Sequence, residues 1–330
     1  MTHTATSIKV VFLGSPTFAV PSLNAMVHSP KIDVPLVITQ PDRPAGRGKT
    51  LTAPPVKEAA LSHGLPILQP ETLRDPATVE TIRETAPDVL IVVSYGEILR
   101  RNVLELAPNG CLNVHPSLLP RYRGSIPIQA TILNGDDEGG VSFIKLVKAM
   151  DAGPIVHQIP VPLSGDETSG ELFDRLSEAA AEALPDVVVN WVDGRIEARE
   201  QDHAVASYTR ELRKADAQID WSSRGVDIER HVRAMNPWPR AWSTIAGKRV
   251  AIDRVSLIST ENVTSAAGTL QTVEGWPAVS TRDGVVRIEK LTPAGKKQMT
   301  GQDWLRGTQE LVGEVFDSPE SAAEPLIFTR

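Results

Sequence analysis

Asn113 and His115 stand two residues apart at the end of a short apolar run, Cys111 to Val114. If that run is a strand, its alternation sends both side chains to one side at the C-terminal end. An amide beside an imidazole offers two donors able to polarise a carbonyl, and the imidazole can also move a proton. The plain alternative is a buried histidine that satisfies a loop carbonyl. The Ser117-Leu118-Leu119-Pro120 that follows makes the segment denser than an isolated pair. Asp151 precedes Ala152-Gly153-Pro154. A carboxylate in that setting is commonly a turn cap, or it can face the imidazole; sequence spacing alone leaves both open.

A second polar stretch runs from Gln40 to Lys49 (QPDRPAGRGK). Pro41, Pro44, Gly46 and Gly48 predict a loop without regular structure, mobile until a partner covers it. Arg43, Arg47 and Lys49 surround the single Asp42, so a phosphate-rich ligand suits it; a solvated basic loop is the alternative. Several chemistries are absent. The turn at Gly14 (FLGSPTF) has one glycine where a dinucleotide fingerprint needs three. It can still offer backbone N–H groups to an anion. There is no P-loop and no nucleophile elbow, and the remaining histidines lack metal-ligand spacing. Cys111 is the only cysteine, which excludes an internal disulfide and a cysteine-cluster zinc site.

The elements that must position these groups follow from periodicity. Residues 8–14 read as a buried strand opening into a helix over Phe18 to Val27. Val34 to Ile38, Pro66 to Leu68, Val89 to Val93 and Cys111 to Val114 read as further strands. Val56 to Ser62 and Thr78 to Thr85 read as helices between them. That alternation predicts an α/β domain with a parallel sheet covered by helices. Later strands are expected at Val141 to Val147 and Ile155 to Val161, then a long helix from Thr168, its cap, to Val189. All six tryptophans lie at 191 or beyond, and short alternating runs over 248–292 predict a small antiparallel barrel or sandwich. The expected division is a catalytic domain over 1–195, a linker over 196–212, a barrel over 213–316 and a flexible acidic tail over 317–330.

The 330-residue chain carries a net charge of −7, unevenly spread. Residues 1–205 hold 17 basic and 25 acidic residues, residues 206–306 hold 16 and 11, and residues 307–330 hold one and five. The middle block can face a polyanion; a mildly basic surface without a partner is the alternative. With 41% apolar and 23% charged residues, wholesale disorder is excluded. No run approaches the ~18 apolar residues of a membrane helix. The polar start lacks a signal-peptide core, and a cytoplasmic protein is expected.

Taken together, several blocks resemble the methionyl-tRNA formyltransferase family. They are VVFLGSPTFAVPSL, TQPDRPAGRGKTLTAPPVK, VVSYGEIL, NVHPSLLPRYRGSIPIQ, MDAGPIV, IDW at 219–221, NPWPRAW at 236–242, GKRV at 247–250 and PAGKKQMTGQDWL at 293–305. They span nearly the whole chain. The central block is shared by the wider formyltetrahydrofolate-dependent transferase superfamily. The resemblance implies a Rossmann-like α/β catalytic domain followed by an OB-like β-barrel. It implies formyl transfer from 10-formyltetrahydrofolate, a co-substrate, to the α-amine of methionine on initiator tRNA, without a metal, a membrane or an obligate protein partner. A relative acting on a nucleotide or sugar amine is the alternative.

By that resemblance Asn113, His115 and Asp151 are catalytic, and Ser117, Leu118, Leu119 and Pro120 bind folate. Arg43, Arg47 and Lys49 belong to a tRNA-clamping loop, with Arg47 at the acceptor end. Charge adds Lys296 and Lys297, in the PAGKK turn, as phosphate contacts. Two departures stand out. Val147 occupies a position where many relatives carry an acid, and Pro116 follows the histidine where glycine is common.

Overall fold

The computed structural model describes residues 7–45, 50–259, 265–320 and 324–329. Its first half is built on one seven-stranded sheet. Strands β1 (Ile8–Gly14), β2 (Ile32–Ile38), β3 (Ile67–Leu68), β4 (Val89–Val93) and β5 (Cys111–His115) run parallel, in the spatial order β5-β4-β1-β2-β3. β6 (Glu138–Lys145) and β7 (Ile155–Pro162) extend the β5 edge antiparallel. β4 (VLIVV) is buried at every position, as a central strand covered on both faces must be.

The long helix α6 (Ser169–Val192) begins in a reciprocal cap: Thr168 Oγ1 accepts from the Glu171 N–H while Glu171 accepts from the Thr168 N–H. Leu172, Leu176, Ala180 and Leu184 recur every four residues and form its buried stripe. α6 packs against α1 (Val20–His28), and Phe173 meets Phe18 edge-on at 5.1 Å.

The second half is an antiparallel sheet that curls into a half-barrel, an OB-like arrangement. Its strands are β8 (Trp242–Ile245), β9 (Lys248–Ser259), β10 (Leu270–Val273), β11 (Trp276–Ser280), β12 (Val285–Pro293) and β13 (Met299–Thr300). Trp221, Trp304 and Phe316 meet in its core, with Trp221 fully buried. Helix α7 (Gly225–Ala234) packs both on β9 and on α5 (Pro127–Asn134) of the first half. Asn236 O accepts from Ser169 Oγ and Gly170 N, so the barrel is also tied to the start of α6.

Three expectations need correction. The 40–49 stretch is not wholly irregular: Arg43–Ala45 pairs antiparallel with Thr50–Thr52. Proline is tolerated in a two-stranded ribbon because one side of each strand needs no ladder donor. Residues 46–49, with Arg47 and Lys49, lie outside the described residues. The polar stretch 196–212 is more than a linker, because Tyr208–Thr209 pairs parallel with Arg123–Gly124 in the first half. The closing segment is not a loose tail where it is described. Ile327–Phe328 pairs with Tyr208–Thr209, the Phe328 ring stacks on Tyr208, and Ser318 Oγ accepts from the Trp221 N–H. Apolar rings and unpaired strand edges anchor a segment that its charge alone marked as solvated.

Candidate active site

From β1 the chain moves to β2 on one side, and β4 later returns on the other side of β1. Open α/β sheets bind ligands beyond the C-terminal strand ends at such a switch point. Residues 94–99 leave β4 there, and Asn113 and His115 end β5 beside them. A cleft of about 400 Å3 opens at this point. Its walls are residues 94–99, 113–116, 124–125 and 146–151. Ile98, Val147 and Met150 leave apolar surface exposed along it.

His115 is buried, and its two ring nitrogens have different neighbours. Nε2 donates to the Tyr122 carbonyl at 3.0 Å, since a carbonyl can only accept. Nδ1 lies 3.8 Å from Asp151 Oδ2. The same carboxylate oxygen accepts from the Gly124 N–H at 2.8 Å. Both plain alternatives are therefore present: the imidazole does satisfy a loop carbonyl, and the carboxylate does cap a backbone N–H. Each also faces the other. Three residues at or behind the cleft, Ser94, Tyr122 and Asp151, hold positive φ values of 51°, 60° and 49°. Side chains rarely adopt this region, and such strain concentrates at functional sites.

Tyr122, whose carbonyl holds the imidazole, is itself fixed three ways. Its N–H donates to Ser207 Oγ, and its hydroxyl to Asp136 Oδ2. Arg121 completes the set with a bond to Asp136 Oδ1 and one to the Tyr122 hydroxyl. Burial is the main reason the Tyr122 hydroxyl titrates well above the ordinary range, so it stays a donor.

Ser117 to Pro120, expected to bind folate, directly follow Pro116. None of Ser117 to Pro120 lines the cleft, although Pro116 does. Ser117 Oγ donates to Arg121 O, and Ser117 O accepts from Ser142 Oγ. The Leu119 N–H donates to Ser142 Oγ, and Leu119 O accepts from Gln158. Leu118 packs so closely over Gly140 that a Cβ there would meet it at 2.4 Å. This stretch fastens the His115 turn to β6 and β7. Of the expected tRNA contacts, Arg43 is exposed on the two-stranded ribbon, and Lys296 and Lys297 are exposed after β12.

Sequence reasoning missed the cleft's other wall. Tyr95 lines the cleft and is buried, and its hydroxyl has no hydrogen-bond partner among the described residues. Burial, with the charge of Glu97 adding to it, pushes that hydroxyl up to about 12. It remains a donor at any physiological pH. The signal was the polar SYGE directly after an apolar strand, but placing it beside residue 113 requires the strand order.

A profile described as formyl transferase matches residues 8–188, and one described as formyl transferase, C-terminal domain matches residues 211–309. The chain belongs to the formyl transferase family. It is 47% identical over 309 residues to the methionyl-tRNA formyltransferase of Roseiflexus castenholzii, covering 93% of this chain and 98% of that one. It is 45% identical to the methionyl-tRNA formyltransferase of Chloroflexus aggregans, covering 91% and 97%. Among solved structures, the sugar 3N-formyl transferase WlaRD superposes with a TM-score of 0.64 at 18% identity, covering 88% of this chain and 99% of that one. A Helicobacter canadensis N-formyltransferase gives 0.65 at 19%, covering 88% and 100%. These two show that the formyl transferase fold extends through both halves of the chain.

Proposed function

We propose that this formyl transferase moves the formyl group of 10-formyltetrahydrofolate to the α-amine of methionine on initiator tRNA. The observation that carries the reading is the approach of His115 Nδ1 to the Asp151 carboxylate, 3.8 Å, beside Asn113 at the wall of the cleft. The near-full-length relatives that carry this activity in their names support the choice of acceptor.

The cleft suits a folate. It offers apolar wall from Leu99, Leu104 and Leu146, and the buried Tyr95 hydroxyl is an unused donor. Such a mixture fits a flat ring system with polar edges. WlaRD was crystallised in the presence of dTDP and 5-N-formyl-THF, which supports a folate co-substrate.

The chemistry then assigns roles. The neutral amine attacks the formyl carbon, and its oxygen gains negative charge. The Asn113 amide is the donor beside that position, worth about 3–4 kcal/mol once aimed at it, while the His115 ring, its Nε2 held by the Tyr122 carbonyl, presents Nδ1 toward Asp151 for proton movement. The tetrahedral intermediate then collapses with cleavage of the formyl carbon–N10 bond, so the amine must lose a proton, N10 must gain one, and tetrahydrofolate leaves. Asp151 faces the imidazole and, directly or through a water, passes the proton. The Tyr122 carbonyl and the Gly124 N–H keep ring and carboxylate in register. The exposed Arg43, Lys296 and Lys297, with Arg47 and Lys49, serve the tRNA backbone. The reaction then belongs in the cytoplasm, where charged tRNA is used.

The test is formyl transfer from 10-formyltetrahydrofolate to initiator Met-tRNA, elongator Met-tRNA and free methionine. Preference for the initiator is expected. Equal use of both tRNAs, or of free methionine, overturns the assignment.

A further inference from the structure

We infer that Gln201, in the segment joining the two halves, is a positioning residue for Asp151, so that this segment belongs to the catalytic apparatus. The inference rests on the reading of His115 and Asp151 given above. Gln201 is buried although its neighbours at 202–205 are exposed. Its amide is used at both ends. Oε1 accepts from Arg123 Nε at 3.2 Å and Nη2 at 2.7 Å. Nε2 donates to Asp151 O at 2.8 Å and to Gly153 O at 2.7 Å. Arginine can only donate and carbonyls can only accept, so the orientation of the amide is dictated by its neighbours.

Each end of that amide leads to the chemistry. At one end it grips the backbone of Asp151, whose φ of 49° persists only where the surroundings enforce it. At the other it holds Arg123, which is 2% exposed. The residues flanking Arg123 supply the two backbone groups of the site: the Tyr122 carbonyl on His115 Nε2 and the Gly124 N–H on Asp151 Oδ2. One side chain thus connects the turn that carries the carboxylate to the strand that orients both partners. Tyr208 Oη and His203 Nδ1, both from the same inter-domain segment, accept from two further Arg123 N–H groups.

A glutamine that merely satisfies buried polar groups would matter for folding but not for the reacting geometry. Gln201→Glu separates the two roles. It retains an acceptor for Arg123, which forms no carboxylate ion pair among the described residues, and so keeps that end anchored. It also sets a carboxylate against two carbonyls and releases Asp151. The expected result is a folded variant whose kcat falls about tenfold or more, since small displacements of reacting groups cost that much. Its KM for folate and for tRNA should stay within about threefold of the parent. The Gly124 amide resonance should shift as its bond to Asp151 is lost. Gln201→Met, which lacks both sets of bonds, should lose at least as much kcat. A folded Gln201→Glu with kcat within about twofold of the parent overturns the inference, as does a variant in which KM rises while kcat holds. If the parent itself transfers no formyl group, the functional reading fails instead. The Gly124 resonance then still reports whether Gln201 sets Asp151.

Discussion

At the scale of single residues, the proposed mechanism divides labour between groups that touch the reaction and groups that aim them. Asn113→Ala, His115→Ala and Asp151→Ala are each expected to cut turnover about a hundredfold or more, the usual cost of losing an oxyanion donor or proton relay. tRNA affinity should change little, and steady-state kinetics beside a tRNA-binding titration check both parts. Cys111, two residues before Asn113, presents the opposite case. Burial pushes its thiol up to about 12, with Lys145 opposing only weakly, so the nucleophilic thiolate is nearly absent near neutral pH. A thiol reagent should leave the native protein unlabelled at pH 8 and react once it is unfolded; rapid native labelling would refute this. Asn113, His115 and Asp151 were singled out by the family resemblance, because their residue types alone left a buried histidine and a turn cap open. Gln201 was not, since a glutamine in a polar stretch looks like solvated linker until its partners are seen.

At the scale of elements, the start of α6 shows how local sequence and tertiary structure cooperate. Thr168 could be read as the cap, and the helix begins directly after it, at Ser169. Glu167, one residue earlier, could not. It is buried and accepts from the Ser164 and Gly165 N–H groups and from Arg175. Burial alone would raise its carboxyl, but hydrogen bonds from the Ser164, Glu167 and Gly165 N–H groups and the Ser164 hydroxyl outweigh it and bring it from 4.5 to about 2. A carboxylate depressed on folding adds stability that is fully present above the unfolded value. That contribution fades as pH falls from about 4.5 through about 2. The difference in melting temperature between the parent and Glu167→Gln should therefore narrow over that window; a constant difference would count against it. Strands and helices with strong periodicity appear within a few residues of their expected bounds. The paired Arg43–Ala45 and Thr50–Thr52 strands were hidden because each is three residues long and one contains proline.

At the scale of the whole molecule, charge and connectivity were unequally readable. The basic excess over 206–306 is visible in the sequence, and Lys296 and Lys297 are exposed on the barrel that carries it. Replacing both with alanine should weaken tRNA binding and lower its log–log salt slope by about one for each phosphate they neutralise. An unchanged slope would remove them from the interface. Strand order, by contrast, cannot be read from periodicity, so the cleft between the ends of β4 and β5 stayed invisible. The same holds for the ribbon in which residues 123–124, 208–209 and 327–328 lie side by side. Its three strands come from the middle of the catalytic half, from the joining segment and from beyond the barrel. A ribosome therefore makes the reactive turn long before it makes the strand that closes this ribbon. The ribbon beside the reactive turn can be completed only after the whole barrel has emerged. Activity should appear late in synthesis, and a bulky group fused just after residue 329 would act on the reactive turn through a single intervening strand.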